Sequence, residues 1–245
     1  MNQLLIKYSP VIAITLFIIF IIIHLSLNKQ YEFPDGISLL SLGRNFEISA
    51  FIFFLLIGIF LLIASNTYIP KIYDYLIKLN SEKSKKIRYV KRINMILVNL
   101  GIIGMILQSV FNLNIPFSKN AIFQFLDFGK LKPIHMIIIH HILAFGSIAI
   151  IGVSNILLAI MCYKNKNNLD SHSIIYKIVL SILFSIFLGM TFIFPIFAPR
   201  NIISKIKDLV FVTPFFHQIT FIILCILFYV GFVYDYDNLY LKLIS

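Results

Sequence analysis

The stretch ISAFIFFLLIGIFLLIASNTYIP, residues 48–70, contains no Asp, Glu, Lys or Arg. About 20 apolar residues in an α-helix are enough to cross a hydrocarbon core roughly 30 Å thick. The chain has five further charge-free stretches that are each longer than this minimum: 8–28, 93–118, 133–163, 178–199 and 209–234. The sequence therefore predicts an all-α integral membrane bundle of six transmembrane helices.

We expect these helices to form a single six-helix transmembrane domain over residues 1–245. The predicted spans are about 10–28, 48–69, 94–115, 134–162, 175–198 and 210–234. Proline positions agree with these limits, since Pro10 and Pro70 fall at span ends, where a missing N–H is tolerated. The residues after the apolar run 11–23 lack a small-residue cleavage pattern, which favours a membrane helix over a cleaved signal peptide there.

Composition and charge support a membrane protein. Apolar residues make up 60% of the chain and charged residues 13%, whereas about 25% of an ordinary soluble domain is charged. The net charge of +11 comes from Lys and Arg near the predicted spans, so we expect no nucleic-acid partner. The two termini and the second and fourth loops together carry 13 Lys and Arg residues, whereas the loops on the other side of the membrane carry eight. The positive-inside rule then places both termini in the cytoplasm.

The segment 71–92 contributes eight of those basic residues. Two interpretations stay open for it. The favoured interpretation is that its charges only set the orientation of the protein in the membrane. The alternative is that the segment recruits membrane rich in anionic lipid, or a cytosolic partner.

Polar and small residues recur along single faces of the predicted helices. Such stripes indicate either close helix packing with interhelical hydrogen bonds or a hydrated interior. In the third span the side-chain amides of Gln108 and Asn112 favour a hydrated interior, because they offer more hydrogen-bond donors and acceptors than helix packing usually consumes. The stripes are Asn94, Gly101, Gly104, Gln108 and Asn112 in the third span, His140, Ser147 and Ser154 in the fourth, Ser181, Ser185 and Gly189 in the fifth, and Thr213, His217, Thr220, Gly231 and Asp235 in the sixth.

Depth along the spans predicts where a ligand binds. Counted from the non-cytoplasmic ends at about 1.5 Å per residue, six polar side chains of the first, third, fourth and sixth spans lie in the outer half of the membrane: His24, Gln108, Asn112, His140, His141 and His217. The cytoplasmic half holds little beyond Asn94, Asn99, Ser154, Asn155 and the serines of the fifth span. We therefore expect a polar cavity that opens towards the outer leaflet. Its candidate ligand-binding residues are His24, Arg44, Gln108, Asn112, His140, His141, His217 and Thr220.

Catalytic and metal chemistry are disfavoured by the residues in the spans. Proton or ion pumping normally depends on buried carboxylates, and the predicted spans have carboxylates only at their edges, at Glu47 and Asp235. The nucleophile motif G-x-S-x-G is missing. The histidine spacing does not suit stacked haems or a zinc site. Cys162 and Cys225 lie at different predicted depths, which disfavours a disulfide. We predict no catalytic residues, no metal and no cofactor.

The first predicted outer loop carries Ile37-Ser38 and Leu42-Gly43 shortly before the second span. With the span count, the basic second loop, Phe145-Gly146 and the sequence HQIT from His217, the chain resembles the DRAM/Sfk-type family of damage-regulated autophagy modulators and a related prokaryotic six-span family of unknown function. The resemblance implies an integral protein of the plasma membrane or an endomembrane that affects lipid organisation.

The leading hypothesis is a non-enzymatic membrane protein that binds a lipid headgroup or small amphiphile in the outer-leaflet cavity. One alternative is a carrier for a small neutral or anionic solute, and a less favoured one is a haem- or metal-binding redox protein. A purely structural role also stays open. Expected partners are membrane lipids, together with a second copy of the chain or another membrane protein.

Overall fold

The computed structural model describes residues 3–27, 46–109, 139, 142–166, 169–197, 214–233 and 235–236. The regular structure in these ranges is entirely helical. The main helices are α1 (Gln3–Leu27), α2 (Phe46–Leu79), α3 (Ser84–Gln108), α4 (Ser147–Lys164), α5 (Ser171–Phe197) and α6 (Pro214–Val230). A 3-10 turn (Ser81–Lys83) joins α2 to α3, and a π-helical turn (Ile142–Gly146) leads into α4. The prediction of an all-α fold is confirmed.

Five helical segments are long and apolar enough to cross a membrane. They are Gln3–Ile23, Ala50–Leu79, Ser81–Gln108, Ile142–Lys164 and Ser171–Gly189. In α6 the apolar segment Ile219–Val230 is shorter than the others. The architecture is therefore that of a helical membrane bundle with five helices of spanning length in the described part of the chain.

Each helix packs against the next along the chain, and α6 packs back against α1, so the six helices close a ring. Helix α6 also contacts α2 and α4. Several of its large side chains are fully buried, among them Phe221, Phe228 and Tyr229. The last helix therefore fills the middle of the bundle with aromatic rings.

The two described turns lie at the same end of the bundle as the beginning of α1 and the chain that follows α6. The Asn80 side-chain amide donates to Oδ1 of Asn165 across 3.0 Å, which joins the α2–α3 turn to the α4–α5 turn. Near the beginning of α1, the backbone oxygen of Lys7 accepts from the Tyr68 hydroxyl at 3.2 Å. Lys7 Nζ also lies 5.9 Å from the ring centroid of Tyr236, which follows α6. We call this region of the molecule the basic end.

The helices extend beyond several predicted spans. Most of segment 71–92, predicted as a loop, is helical, since α2 runs to Leu79 and α3 begins at Ser84. Pro10 and Pro70 lie inside α1 and α2, so the prediction that they mark helix ends is wrong. A charge ends a hydrophobic stretch but not a helix, because Lys, Arg and Glu are good helix formers. At the basic end, α2 and α3 continue as helices after their apolar sequence has stopped.

Close packing of α3 on α4 depends on glycine. A Cβ atom on Gly101 would lie 2.5 Å from Cγ1 of Ile151 and 3.0 Å from the backbone oxygen of Ser147. Gly104 meets the Ser147 side chain in the same way. The small residues of the predicted third-helix stripe therefore serve helix packing, as the packing interpretation required.

We expect Gly101→Ala to destabilise the bundle by about 1–3 kcal/mol, because the new methyl group meets backbone as well as a side chain. Gly146→Ala is the matched control, since a Cβ there has nothing within 4 Å. The measurement is reversible unfolding of the purified protein in mixed micelles, followed by circular dichroism. Equal stability of the two variants would contradict the assigned interface.

Candidate functional site

Half of the eight sequence-predicted ligand residues lie outside the part of the chain that the structure describes. Arg44, Asn112, His140 and His141 belong to that group. His24 lies in α1 and His217 in α6, but their side chains are not among those that the structure describes. Gln108, at the end of α3, and Thr220, in α6, are both half-buried. The outer-leaflet cavity therefore stays a prediction.

A buried polar cluster joins α2, α3 and α4 towards the basic end. The Asn94 side-chain amide donates to the hydroxyl of Tyr73 at 2.9 Å. The Ser154 hydroxyl donates to Oδ1 of the same asparagine. All three side chains are buried, and Asn94 and Ser154 are completely inaccessible. One asparagine therefore holds three helices in register through both ends of its amide.

An ion pair is buried where α5 meets the chain beyond α6. Lys177 Nζ lies 2.5 Å from Oδ2 of Asp235, and the lysine side chain is 1% exposed. The same ammonium group donates to the Ser173 hydroxyl and lies 5.4 Å from the ring centroid of Phe232. Hydrogen bonds, an aromatic face and a counter-ion together satisfy a charge in a nearly dry place.

This ion pair corrects two sequence-based assignments. The charge count along the sequence includes Lys177 among the 13 cations outside the spans that set membrane orientation, but this lysine lies in α5 and is buried. Asp235, at the edge of the sixth predicted span, is buried as well. Counting charges along the chain cannot detect such a pair, because the partners are 58 residues apart. The usable signal was a lysine with the apolar neighbours Ile174, Ile175 and Ile178.

A second polar pair lies farther from the basic end, between α2 and α3. Asn66 and Asn99 exchange side-chain hydrogen bonds of 2.9 and 3.2 Å. Asn66 also donates to the backbone oxygen of Leu62 at 2.9 Å. Because Asn66 is exposed on the outside of the bundle, the two amides satisfy each other where hydrocarbon offers no partner.

A pocket of about 580 Å³ opens between α2 and α3 at the basic end. Its cations are Arg88, Lys91 and Arg92, and Asp74 contributes a carboxylate. Lys91 Nζ pairs with Oδ1 of Asp74 at 2.6 Å. The remaining lining residues are Ile77, Met95 and Ile96. Cationic and apolar walls therefore meet in one concave surface, which we call the α2–α3 pocket.

In the described residues, no three His, Cys, Asp or Glu side chains lie close enough together to hold a metal ion.

No protein-family model, curated protein or solved structure matches the chain. The resemblance to the DRAM/Sfk-type family therefore stays a prediction from short motifs.

We expect Lys177→Met to destabilise the protein by about 3–5 kcal/mol, because the change leaves the Asp235 carboxylate buried and unpaired. Asp235→Leu should cost a similar amount. The double variant should cost less than the sum of the single changes, since it removes both charges.

A double-mutant cycle, measured by unfolding in mixed micelles, gives the interaction energy of the pair. Lys91→Met and Asp74→Leu form the matched control, because that pair is at least one-quarter exposed on each side and should contribute no more than about 1 kcal/mol. Strict additivity for Lys177 and Asp235 would contradict the buried ion pair.

Proposed function

We propose that the chain is a non-enzymatic multi-pass membrane protein of six spans that binds anionic lipid headgroups and thereby affects lipid organisation. The observation that carries this proposal is the α2–α3 pocket. It combines guanidinium groups with an apolar wall at the level where α3 changes from charged to apolar sequence.

The charges of the pocket suit a phosphate-containing headgroup. Lys91 is engaged by Asp74, which leaves Arg88 and Arg92 as the remaining cations of the pocket. These arginines are one helical turn apart on α3, so their side chains project from the same face. Arginine binds phosphate oxygens through two parallel N–H groups, and such charge-assisted hydrogen bonds are among the strongest in proteins.

The apolar wall suits the part of a lipid next to its headgroup. Met95 and Ile96 lie about one helical turn after Arg92 on α3, and Ile96 is 58% exposed. A lipid with its phosphate at the arginines can lay the beginning of its acyl chains along these side chains. An anionic protein or a soluble metabolite would gain nothing from this wall, so the pocket favours a lipid.

The proposed pocket supports the second interpretation of segment 71–92, in which its basic residues bind anionic lipid. It lies at the basic end, whereas the predicted outer-leaflet recess belongs to the other ends of the helices. On the proposed topology, with both termini cytoplasmic, the α2–α3 pocket faces the cytoplasmic leaflet. Anionic lipids are concentrated in that leaflet, and basic groups near its surface are attracted by about 1 kcal/mol each.

We expect the double variant Arg88→Ala/Arg92→Ala to bind phosphatidylserine at least tenfold more weakly, because each lost phosphate contact contributes about 1.5–3 kcal/mol. Native mass spectrometry of protein from nanodiscs with graded phosphatidylserine in phosphatidylcholine measures the bound lipid. Lys85→Ala/Lys86→Ala is the matched control, since it also removes two exposed charges of α3 but leaves the pocket intact. Equal loss in both double variants would indicate a diffuse electrostatic attraction and would contradict a specific site.

The proposed orientation has its own test. Single cysteines are placed at Ser81 and at Asn165 in a variant without Cys162 and Cys225. Each cysteine should react with a membrane-impermeant thiol reagent only after the cells have been permeabilised. Both turns lie at the basic end, so they should respond alike. Labelling of both sites in intact cells would reverse the assigned orientation and place the pocket in the other leaflet.

A further inference from the structure

A second concave surface lies between α4 and α5 and is separate from the α2–α3 pocket. Its volume is about 660 Å³, within the range of roughly 300–1,000 Å³ typical of small-molecule sites. Five isoleucines form most of its walls, namely Ile156 and Ile160 from α4 and Ile178, Ile182 and Ile186 from α5. Every side chain that lines this α4–α5 groove is uncharged. The groove therefore suits an uncharged apolar molecule dissolved in the membrane.

A buried hydroxyl group in the groove wall has no hydrogen-bond partner. Ser181 is 7% exposed, lines the groove, and has an unpaired Oγ among the described residues. Ser185, one turn further on, donates its own hydroxyl to the backbone oxygen of Ser181 at 2.8 Å. Ser181 thus retains a free donor, whereas Ser185 does not.

An unpaired acceptor lies on the facing helix. Oδ1 of Asn155 is buried and has no partner in the described part of the chain. The antiparallel register of α4 and α5 is fixed where Gly152 packs against the ring of Phe184. Three residues later along α4 and three residues earlier along α5, this register brings Asn155 to the level of Ser181. Asn155 directly precedes Ile156 of the groove wall, so its buried acceptor lies beside the groove at about the depth of the Ser181 donor.

A single hydroxyl group can satisfy both atoms, because it accepts one hydrogen bond and donates another. A carbonyl or ether oxygen can only accept, so it would leave Oδ1 of Asn155 unpaired. The groove also has few polar groups to spare for further ester or phosphate oxygens. The chemistry of the wall therefore selects a lipid whose only polar group is one hydroxyl.

The walls also favour a rigid ligand over a flexible one. Isoleucine is branched at Cβ and has little freedom about χ1, so the shape of the groove is largely fixed before binding. A fused-ring body loses less conformational freedom in such a groove than a flexible acyl chain does. Tyr163, which is 54% exposed, lines the same groove and offers an aromatic face to a flat ring system.

The sequence around Tyr163 agrees with this choice. Leu157, Tyr163 and Lys166 match a short pattern proposed for sterol contact, in which Leu or Val precedes Tyr by up to six positions and a basic residue follows it. Lys166 Nζ lies 5.4 Å from the centre of the Tyr163 ring. The pattern matters here because its central tyrosine is part of the groove wall.

We propose that the α4–α5 groove binds an uncharged polycyclic lipid of the sterol type, with its hydroxyl between Ser181 and Asn155. This site is independent of the anionic-lipid pocket between α2 and α3. Failure of one proposal therefore leaves the other in place.

The test uses the full-length protein in phosphatidylcholine nanodiscs with a photoreactive cholesterol that keeps its free hydroxyl. Mass spectrometry should locate the cross-link in peptides of 156–186. Cholesterol should compete, whereas cholesterol methyl ether and diacylglycerol should compete at least fivefold less well, because the ether cannot donate to Asn155 and diacylglycerol carries extra ester groups.

Ser181→Ala should lower specific labelling about fivefold, which corresponds to the loss of one hydrogen bond. Ser185→Ala is the matched control and should label like the unaltered protein. Ile182→Trp, which fills the groove, should abolish specific labelling. Equal labelling of the two serine variants, or equal competition by cholesterol and its methyl ether, would overturn the proposal. The comparison of competitors needs no variant, so it decides the question even if a substitution impairs folding.

Discussion

Hydrocarbon provides no hydrogen-bond partner, and this constraint explains why polar side chains of different helices meet in the described part of the bundle. Asn66 meets Asn99, Asn94 joins Tyr73 to Ser154, and Lys177 meets Asp235. Each of these contacts joins different helices. Because an unpaired partner would be costly, each contact also favours the register in which both of its partners are satisfied. Polar residues in this protein therefore specify the arrangement of a fold whose apolar surfaces alone would allow several.

Close packing supplies what the polar contacts leave undetermined. Glycines of α3 let α4 approach, and Gly152 of α4 accommodates the ring of Phe184 from α5. Phe184 in turn packs on Phe221 of α6, with ring centroids 5.4 Å apart. Without a hydrophobic driving force between helices in lipid, such shape matching is a main source of association. The succession of small against large side chains runs from α3 to α6 and connects the ring of helices to its centre.

The two concave surfaces differ because they lie in different positions relative to the charges. The α2–α3 pocket includes the basic residues that continue α3 beyond its apolar sequence, so its chemistry is that of a charged interface. In the α4–α5 groove the walls are uncharged, and of the two serines that line it only Ser181 has a hydroxyl without a partner among the described residues. One surface suits a phosphate-bearing lipid and the other a lipid with one hydroxyl. A protein with both would respond to two components of its membrane.

The sequence by itself determined the helical membrane architecture, because charge-free stretches of spanning length have few other stable forms. It also indicated the packing faces, since small residues at Gly101 and Gly104 recur at helical spacing. Tertiary structure alone decided that Lys177 is a buried partner of Asp235, that segment 71–92 is mostly helix, and that Asp74 and Ile77 of α2 line one pocket with Arg88 and Arg92 of α3. These features depend on contacts between residues far apart in the chain or on how far a helix continues past its apolar part. Periodicity and charge counts describe one helix at a time, so they cannot supply either.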